Sequence, residues 1–281
     1  MTRSAAISCV AIGIAACSHR SVPADPWDPQ AAAAYLDHRI EWWMGWSGAA
    51  RDQGTFCFSC HTAVPYALAR PSLRTALAEA APSAAEHQLM EDVRQRVRLW
   101  SATRPFYTDE RHGPGKSAQS RGTEAVLSAV MLAWDDARSG RLSADTRAAL
   151  DNMWAVQQAS GPDRGAWAWL DFNLAPWEVP DAQYYGAALA ALAVGVAPED
   201  YRSIPQIQEL EQAAMPRALE AVRHGRSWLV RNQRGHGGLW VRGQEGFWVT
   251  HSLNKRRNPS SNVGLFMSDA ATAYAVLALT R

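Results

Sequence analysis

Two cysteines and a histidine stand close together in this chain, as Cys57, Cys60 and His61 in the run Cys-Phe-Ser-Cys-His. Two thiols separated by two residues can both bond to one bound group, or they can form a disulfide with each other. The adjacent imidazole supplies a nitrogen ligand. Covalent attachment of a cofactor, a disulfide and a zinc centre all use residues of these types. The other cysteines and the N-terminus help to distinguish these three kinds of site.

The C-x-x-C-H spacing is the pattern of covalent haem attachment, and it predicts a haem c. Cys57 and Cys60 are then the attachment points, and His61 is the proximal iron ligand. A disulfide between Cys57 and Cys60 is the second interpretation, because an exported C-x-x-C oxidises readily. Zinc is the third, since the chain has no second cysteine pair to complete the usual four ligands.

The N-terminus indicates the export that haem c requires. Residues 1–16 have a charged start at Arg3 and an apolar stretch of about a dozen residues, which is typical of a signal peptide and too short to span a bilayer. Cys17 completes a stretch that resembles a bacterial lipobox, so we expect a lipid anchor on Cys17 and a periplasmic location. Ser18 favours the outer membrane. An ordinary cleavable signal is the alternative.

Charge and cysteine usage limit the partners. The 281 residues carry 28 basic and 27 acidic side chains, a net charge of +1, which indicates neither nucleic acid nor an anionic surface as a partner. Cys9 lies in the signal peptide, so only Cys17 and the motif pair remain after processing. We expect a tether over residues 17–29 and a single domain over residues 30–281.

Two kinds of helix alternate through the predicted domain. Alanine-rich stretches that are apolar on more than one face, as buried helices are, lie at 62–77, 123–135, 181–196 and 269–279. Amphipathic stretches with a charged face lie at 29–46, 82–100, 144–158 and 216–232. This alternation predicts an all-α fold, an α/α toroid made as a partial barrel of about four helical hairpins, with the alanine-rich helices inside.

Short motifs at the joints resemble the QW repeat of squalene-hopene and oxidosqualene cyclases. They are 228–233 followed by Gly238-Leu239-Trp240, Gln158 with Gly165-Ala166-Trp167, and a degenerate form at 53–56. The resemblance implies a terpenoid cyclase-like toroid in which the glutamine amide caps a helix end. The D-x-D-D motif with which those cyclases protonate an alkene does not occur, so we do not expect a polyene cyclase.

Alignment of the alanine-rich helices gives the motif a position. His61, Thr123, Asp181 and Asp269 then share the first position of their helices, which predicts that the motif lies at the mouth of the barrel. Glu124, Asp181 and Asp269 become candidate catalytic acids or bases at this rim. Asp181 and Asp269 also stand where an N-cap belongs, and capping is the alternative interpretation.

Other residues of the predicted rim suit a haem or an apolar ligand. His112, His251 and Met267 are candidates for a sixth, distal iron ligand. Trp177 and Trp248 lie in long connections beside the opening and are candidates to line a binding pocket.

These features favour a periplasmic mono-haem c-type protein on a toroid. It would transfer electrons to a periplasmic redox partner or oxidise a small apolar substrate. The alternative is a haem-free toroid that binds a lipid, terpenoid or glycan, with Cys57 and Cys60 in a disulfide. A third hypothesis is a cofactor-free lyase or hydrolase that uses the rim carboxylates.

Overall fold

The computed structural model describes residues 27–198, 201, 241–242, 246–250 and 255–280, and this part of the chain is mostly helical. The predicted all-α class is therefore confirmed. The predictions for the signal peptide, Cys17, the helix at 216–232, the motif at 228–240 and His251 fall outside the described residues. Among the helices described, none is both long and apolar enough to cross a membrane.

The described elements follow one another along the chain as alternating helices. They are α1 (Pro29–Gly45), α2 (Ala63–Ala76), α3 (Ala84–Arg98), α4 (Asp109–His112), α5 (Lys116–Ser139), α6 (Ala144–Ala155), α7 (Gln183–Val196) and α8 (Phe266–Leu279). Short 3₁₀ helices lie at Asp52–Gly54, Pro180–Ala182 and Asn262–Leu265. A two-stranded antiparallel ladder pairs β1 (Val241–Arg242) with β2 (Trp248–Val249), with Val241 opposite Val249.

Polar caps fix where the amphipathic helices begin. The Asp28 carboxylate accepts hydrogen bonds from the backbone N–H groups of the second and third residues of α1, and Pro29 supplies a first residue with the required φ. Ser83 and Glu86 form a reciprocal capping box at the start of α3. These caps place the two helices within two residues of the predicted starts.

The alanine-rich helices pack on one another as a chain of neighbours. α2 packs against α5 and α8, and α5 packs against α7. The Tyr185 and Tyr274 hydroxyl oxygens, on α7 and α8, lie 3.2 Å apart. Helices α1, α3 and α6 pack against this group, α1 on α2 and α8, and α3 and α6 on α5.

Helix α5 is longer than predicted. It was expected at 123–135 and spans 24 residues from Lys116 to Ser139. Its first two turns are polar in sequence, yet Lys116 and Ser120 are buried there. The Lys116 ammonium donates to the Asp171 carbonyl at 2.5 Å, and the Ser120 hydroxyl accepts the backbone N–H of Tyr107 at 3.0 Å. Thr123 and Glu124 therefore lie inside the helix and not at its start.

The N-cap interpretation is wrong for both aspartates. Asp181 lies in the 3₁₀ helix before α7, where its side chain is exposed, and Asp269 lies in the first turn of α8. The residues at the two N-cap positions are Ala182 and Leu265, and neither helix has a side-chain cap. Asp269 is instead drawn into a buried hydrogen-bond network.

Candidate functional site

The Cys-Phe-Ser-Cys-His motif forms a fixed turn at the start of α2. The Cys57 N–H donates to the Ala49 carbonyl at 2.8 Å, and the Trp43 indole donates to the Cys57 carbonyl at 2.7 Å. The Ser59 hydroxyl accepts hydrogen bonds from the backbone N–H groups of Thr62 and Ala63, at 3.2 and 3.0 Å. These bonds satisfy two N–H groups at the N-terminus of α2. The two thiols and the imidazole thus extend from a backbone whose polar groups are paired.

The His61 ring is enclosed by aromatic side chains. It stacks on Phe266 with ring centroids 4.0 Å apart, meets Trp43 edge-on at 5.0 Å, and lies 5.8 Å from Trp177. Burial lowers the pKa of His61 to about 3, and the positive charges of Arg39 and Arg257 act in the same direction. The imidazole is therefore neutral at neutral pH.

A buried chain of hydrogen bonds selects the tautomer of His61. The Thr62 hydroxyl oxygen lies 2.8 Å from His61 Nδ1 and 2.8 Å from Asp269 Oδ2. An ionised carboxylate only accepts, so the single hydroxyl proton of Thr62 is donated to Asp269. His61 Nδ1 must then carry the proton that is donated to Thr62, and Nε2 keeps its lone pair. Among the described residues, none is a hydrogen-bond partner of Nε2.

Asp269 is held in the ionised state by four donors. Arg39 Nε and Nη2 donate to its two oxygens at 2.7 and 3.0 Å, and Tyr35 and Thr62 each donate a hydroxyl proton. Burial raises the pKa of Asp269, while the guanidinium of Arg39 and the hydroxyl donors lower it. Arg39 is 1% exposed, and its other partner is the uncharged Asn262, so Asp269 is its counter-charge and remains a carboxylate.

An apolar cavity of about 200 Å³ adjoins the motif. Its aromatic wall and the candidate ligands are contributed by α1, the motif, the 174–178 connection and the start of α8: Trp43, Trp46, Cys60, His61, Trp177, Phe266 and Met267. Arg257 and Glu178 also line it. Cys60, His61 and Met267 therefore line the same cavity.

Both cysteines are buried, protonated thiols. Each is 7% exposed and forms no disulfide. Burial raises the pKa of Cys57 to about 11 and that of Cys60 well above its usual range, with the Glu178 carboxylate adding to both shifts. Thiols of this kind are poor nucleophiles, which argues against a redox-exchange role like that of a low-pKa C-x-x-C pair.

Glu178 is a residue of the cavity that the sequence did not indicate. Burial raises the pKa of its carboxyl group to about 7, against a smaller opposing effect of Lys116. Its backbone is fixed by a reciprocal pair of hydrogen bonds with Leu174, each 2.9 Å long. The only sequence signal was its position beside Trp177 in a long connection.

The structure separates the other predicted site residues. Glu124 is fully buried and paired with Arg96, and Asp181 is exposed beyond the cavity lining, so the candidate carboxylates do not form one site. His112 is exposed on α4 and lines a different cleft. Of the described candidates for a sixth ligand, Met267 alone lines the cavity of His61.

The connection after α6, which contains Trp167, differs from the helix cap that the QW-like motif predicted. The Trp167 indole N–H donates to the Met153 carbonyl in the last turn of α6 at 2.6 Å. The side-chain amide that bonds the following loop belongs to Gln157, which donates to the Gly165 carbonyl at 2.9 Å. The tryptophan, and not the Gln158 amide, thus satisfies the helix end here.

Comparison of the chain with protein-family models, curated proteins and solved structures finds no match. The described residues contain no cluster of three or more histidine, cysteine or acidic side chains that could hold a metal ion. A haem c requires a different donor set, namely two thiols and one neutral imidazole, and these are present together.

Proposed function

We propose that this chain is an exported mono-haem c-type protein that transfers electrons. Cys57 and Cys60 would attach the haem, and His61 would bind its iron through Nε2. The observation that carries the proposal is the fixed tautomer of His61, whose Nε2 lone pair is unprotonated beside the Cys60 thiol in an apolar cavity. A second hydrogen bond that fixes ring orientation and tautomer is the usual arrangement for a histidine that binds a metal.

Met267 supports electron transfer over substrate oxidation. Its side chain lines the same cavity as His61. A thioether that also bound the iron would favour electron transfer over substrate binding. A bound haem would supply one-electron redox chemistry. The residues around it would orient His61, exclude water and set the polarity.

The donors fit a haem c, but the cavity as it stands is too small for a whole porphyrin. Its volume of about 200 Å³ is below the size of ordinary ligand pockets, which is roughly 300 to 1,000 Å³. Loading would therefore require lining segments to move outward.

The proposal extends to the arrangement of the helices and to the location of the protein. The four alanine-rich helices in contact with one another suit a partial α/α toroid of the terpenoid cyclase type. Haem c attachment would take place in the periplasm, where a lipid on Cys17 would anchor the protein to the outer membrane and residues 18–26 would serve as part of the tether. A periplasmic electron donor or acceptor would be its partner.

The visible spectrum of the exported protein, matured with the haem-attachment machinery, tests this function. We expect a Soret band in the wild type and its loss in the Cys57→Ala/Cys60→Ala variant. Met267→Ala should lower the reduction potential and let cyanide bind the oxidised protein, whereas His112→Ala, the matched control, should do neither. A colourless wild type would refute the proposal, and equal behaviour of the two single variants would refute the assignment of Met267.

A second candidate function follows from the size of the cavity. About 200 Å³ lined by tryptophan and phenylalanine would hold a small apolar molecule without any haem. Cys57 and Cys60 would then form a disulfide after export. This alternative predicts a colourless protein whose count of free thiols rises by two on reduction.

A further inference from the structure

A second, larger opening lies next to the cavity of His61. It encloses about 780 Å³, within the range of small-molecule sites, and is formed by the 48–53 segment and the connection from Arg104 to His112. It shares Gly48 and Tyr107 with the cavity of His61, and these two residues form the wall between the openings. We refer to it as the arginine cleft.

Three guanidinium groups of the arginine cleft form no ion pair among the described residues. Arg51, Arg104 and Arg111 lie within salt-bridge distance of no described carboxylate. Most arginines of α1, α2, α3 and α5 are by contrast paired, for example Arg98 with Asp145 at 2.6 Å. The positive charges of the cleft are therefore available to an anion.

Arg51 is held in place without using all its donors. Its Nη1 donates to the carbonyls of Gly48 and Ala50 at 3.0 and 2.7 Å, and its guanidinium lies over the Tyr107 ring at 4.7 Å. Its Nε is buried and has no hydrogen-bond partner in the described part of the chain. A buried donor without a partner is costly.

The two carboxylates of the cleft offset only part of its positive charge. Asp52 accepts the backbone N–H groups of Gln53 and Arg104, each at 3.0 Å, which lowers its pKa and favours its ionised form. Glu110 is exposed at the rim. With three arginines against two carboxylates, the lining carries one net positive charge when His112 is neutral.

We propose that the arginine cleft binds a small organic carboxylate, with Arg104 and Arg111 as the main charged contacts and Arg51 as a fixed donor at its base. Guanidinium groups match carboxylates in shape and charge, and the faces of Pro105 and Tyr107 offer contact to an apolar body. This mixed lining favours an organic anion over an inorganic one. The proposal does not depend on the haem, since none of the three arginines lines the cavity of His61.

Calorimetric titration of the full mature chain tests the proposal with benzoate, succinate and citrate as probes and benzamide as the uncharged isostere. We expect saturable binding of at least one carboxylate, with no binding of benzamide. The Arg104→Gln/Arg111→Gln variant should weaken that binding about tenfold or more, since each loses a charge-assisted hydrogen bond. Both side chains are exposed, so the variant is expected to fold.

Arg98→Gln is the matched control, because it removes an equally exposed arginine from an ion pair outside the cleft. It should bind the carboxylate as the wild type does. Failure of all three carboxylates to bind would overturn the proposal. So would equal affinity in the wild type and in the folded double variant, or equal weakening by the control.

Discussion

Replacement of Asp269 by asparagine tests the buried network that orients His61. The carboxylate accepts four hydrogen bonds, two from Arg39 and one each from Tyr35 and Thr62. The amide of asparagine has one oxygen and presents an NH₂ group to donors on its other side, so about half of these bonds are lost. The guanidinium of Arg39, 1% exposed, is left without a counter-charge.

The expected loss in the free energy of unfolding is large compared with the total stability of a domain. Removal of one member of a buried ion pair costs about 3 to 5 kcal/mol, against a total stability of roughly 5 to 15 kcal/mol for a domain. Asp269→Asn should therefore lower the free energy of unfolding, measured by urea titration, by about 3 kcal/mol or more. Arg98→Gln, which breaks a half-exposed pair, should cost no more than about 1 kcal/mol.

A double variant separates the cost of the unpaired Arg39 charge from the cost of the lost hydrogen bonds. In Arg39→Met/Asp269→Leu both charges are gone, and the free energy of unfolding should recover toward the wild type, because no charge is left buried alone. Tyr35 and Thr62 still lose an acceptor, so the recovery should be partial. A loss below about 1 kcal/mol in Asp269→Asn, or a double variant no more stable than the single one, would refute the reasoning.

Two further predictions concern Glu178 and Gly122. Burial raises the pKa of Glu178 to about 7, so the folded chain binds a proton that the unfolded chain releases near pH 4.3, and stability is lost as the pH rises between about 4.3 and 7. Glu178→Gln should not show this loss. In urea titrations, its free energy of unfolding relative to the wild type should rise by about 2 kcal/mol from pH 5 to pH 8. A difference that stays constant with pH would contradict the burial of the carboxylate. Gly122→Ala should cost about 2 kcal/mol, because the new Cβ would lie 2.1 Å from the Ala168 carbonyl oxygen. Gly195→Ala, with open space around the new Cβ, should stabilise by about 0.5 kcal/mol, and thermal unfolding that ranks the two variants alike would count against this packing.

Sequence patterns located most helices because burial and capping act locally. The stretch predicted at 62–77 is the helix Ala63–Ala76, and that at 181–196 is Gln183–Val196. The start of α5 was missed because its first turns are polar and are buried by tertiary contacts, one of them between Lys116 and Asp171, some fifty residues further on. Local periodicity carries no information about such a cover.

The candidate site was also predicted only in the part that local sequence shows. Cys57, Cys60 and His61 were visible as a motif, and Met267 as one of three possible ligands. The network behind His61 joins Thr62 and Arg39 to Asp269 across 207 and 230 positions of the chain, so only the tertiary packing brings them together. Asp269 was expected to be an acid, a base or an N-cap, and it lies where it can position His61 through Thr62.

The mass of the intact polypeptide, measured under denaturing conditions after export and maturation, tests the central proposal most directly. A covalent haem c on Cys57 and Cys60 predicts a mature chain heavier by one haem and without a titratable thiol at either position. The added mass should be absent from Cys57→Ala/Cys60→Ala. A mature chain without added haem, with these cysteines either free or joined in a disulfide, would contradict the proposal.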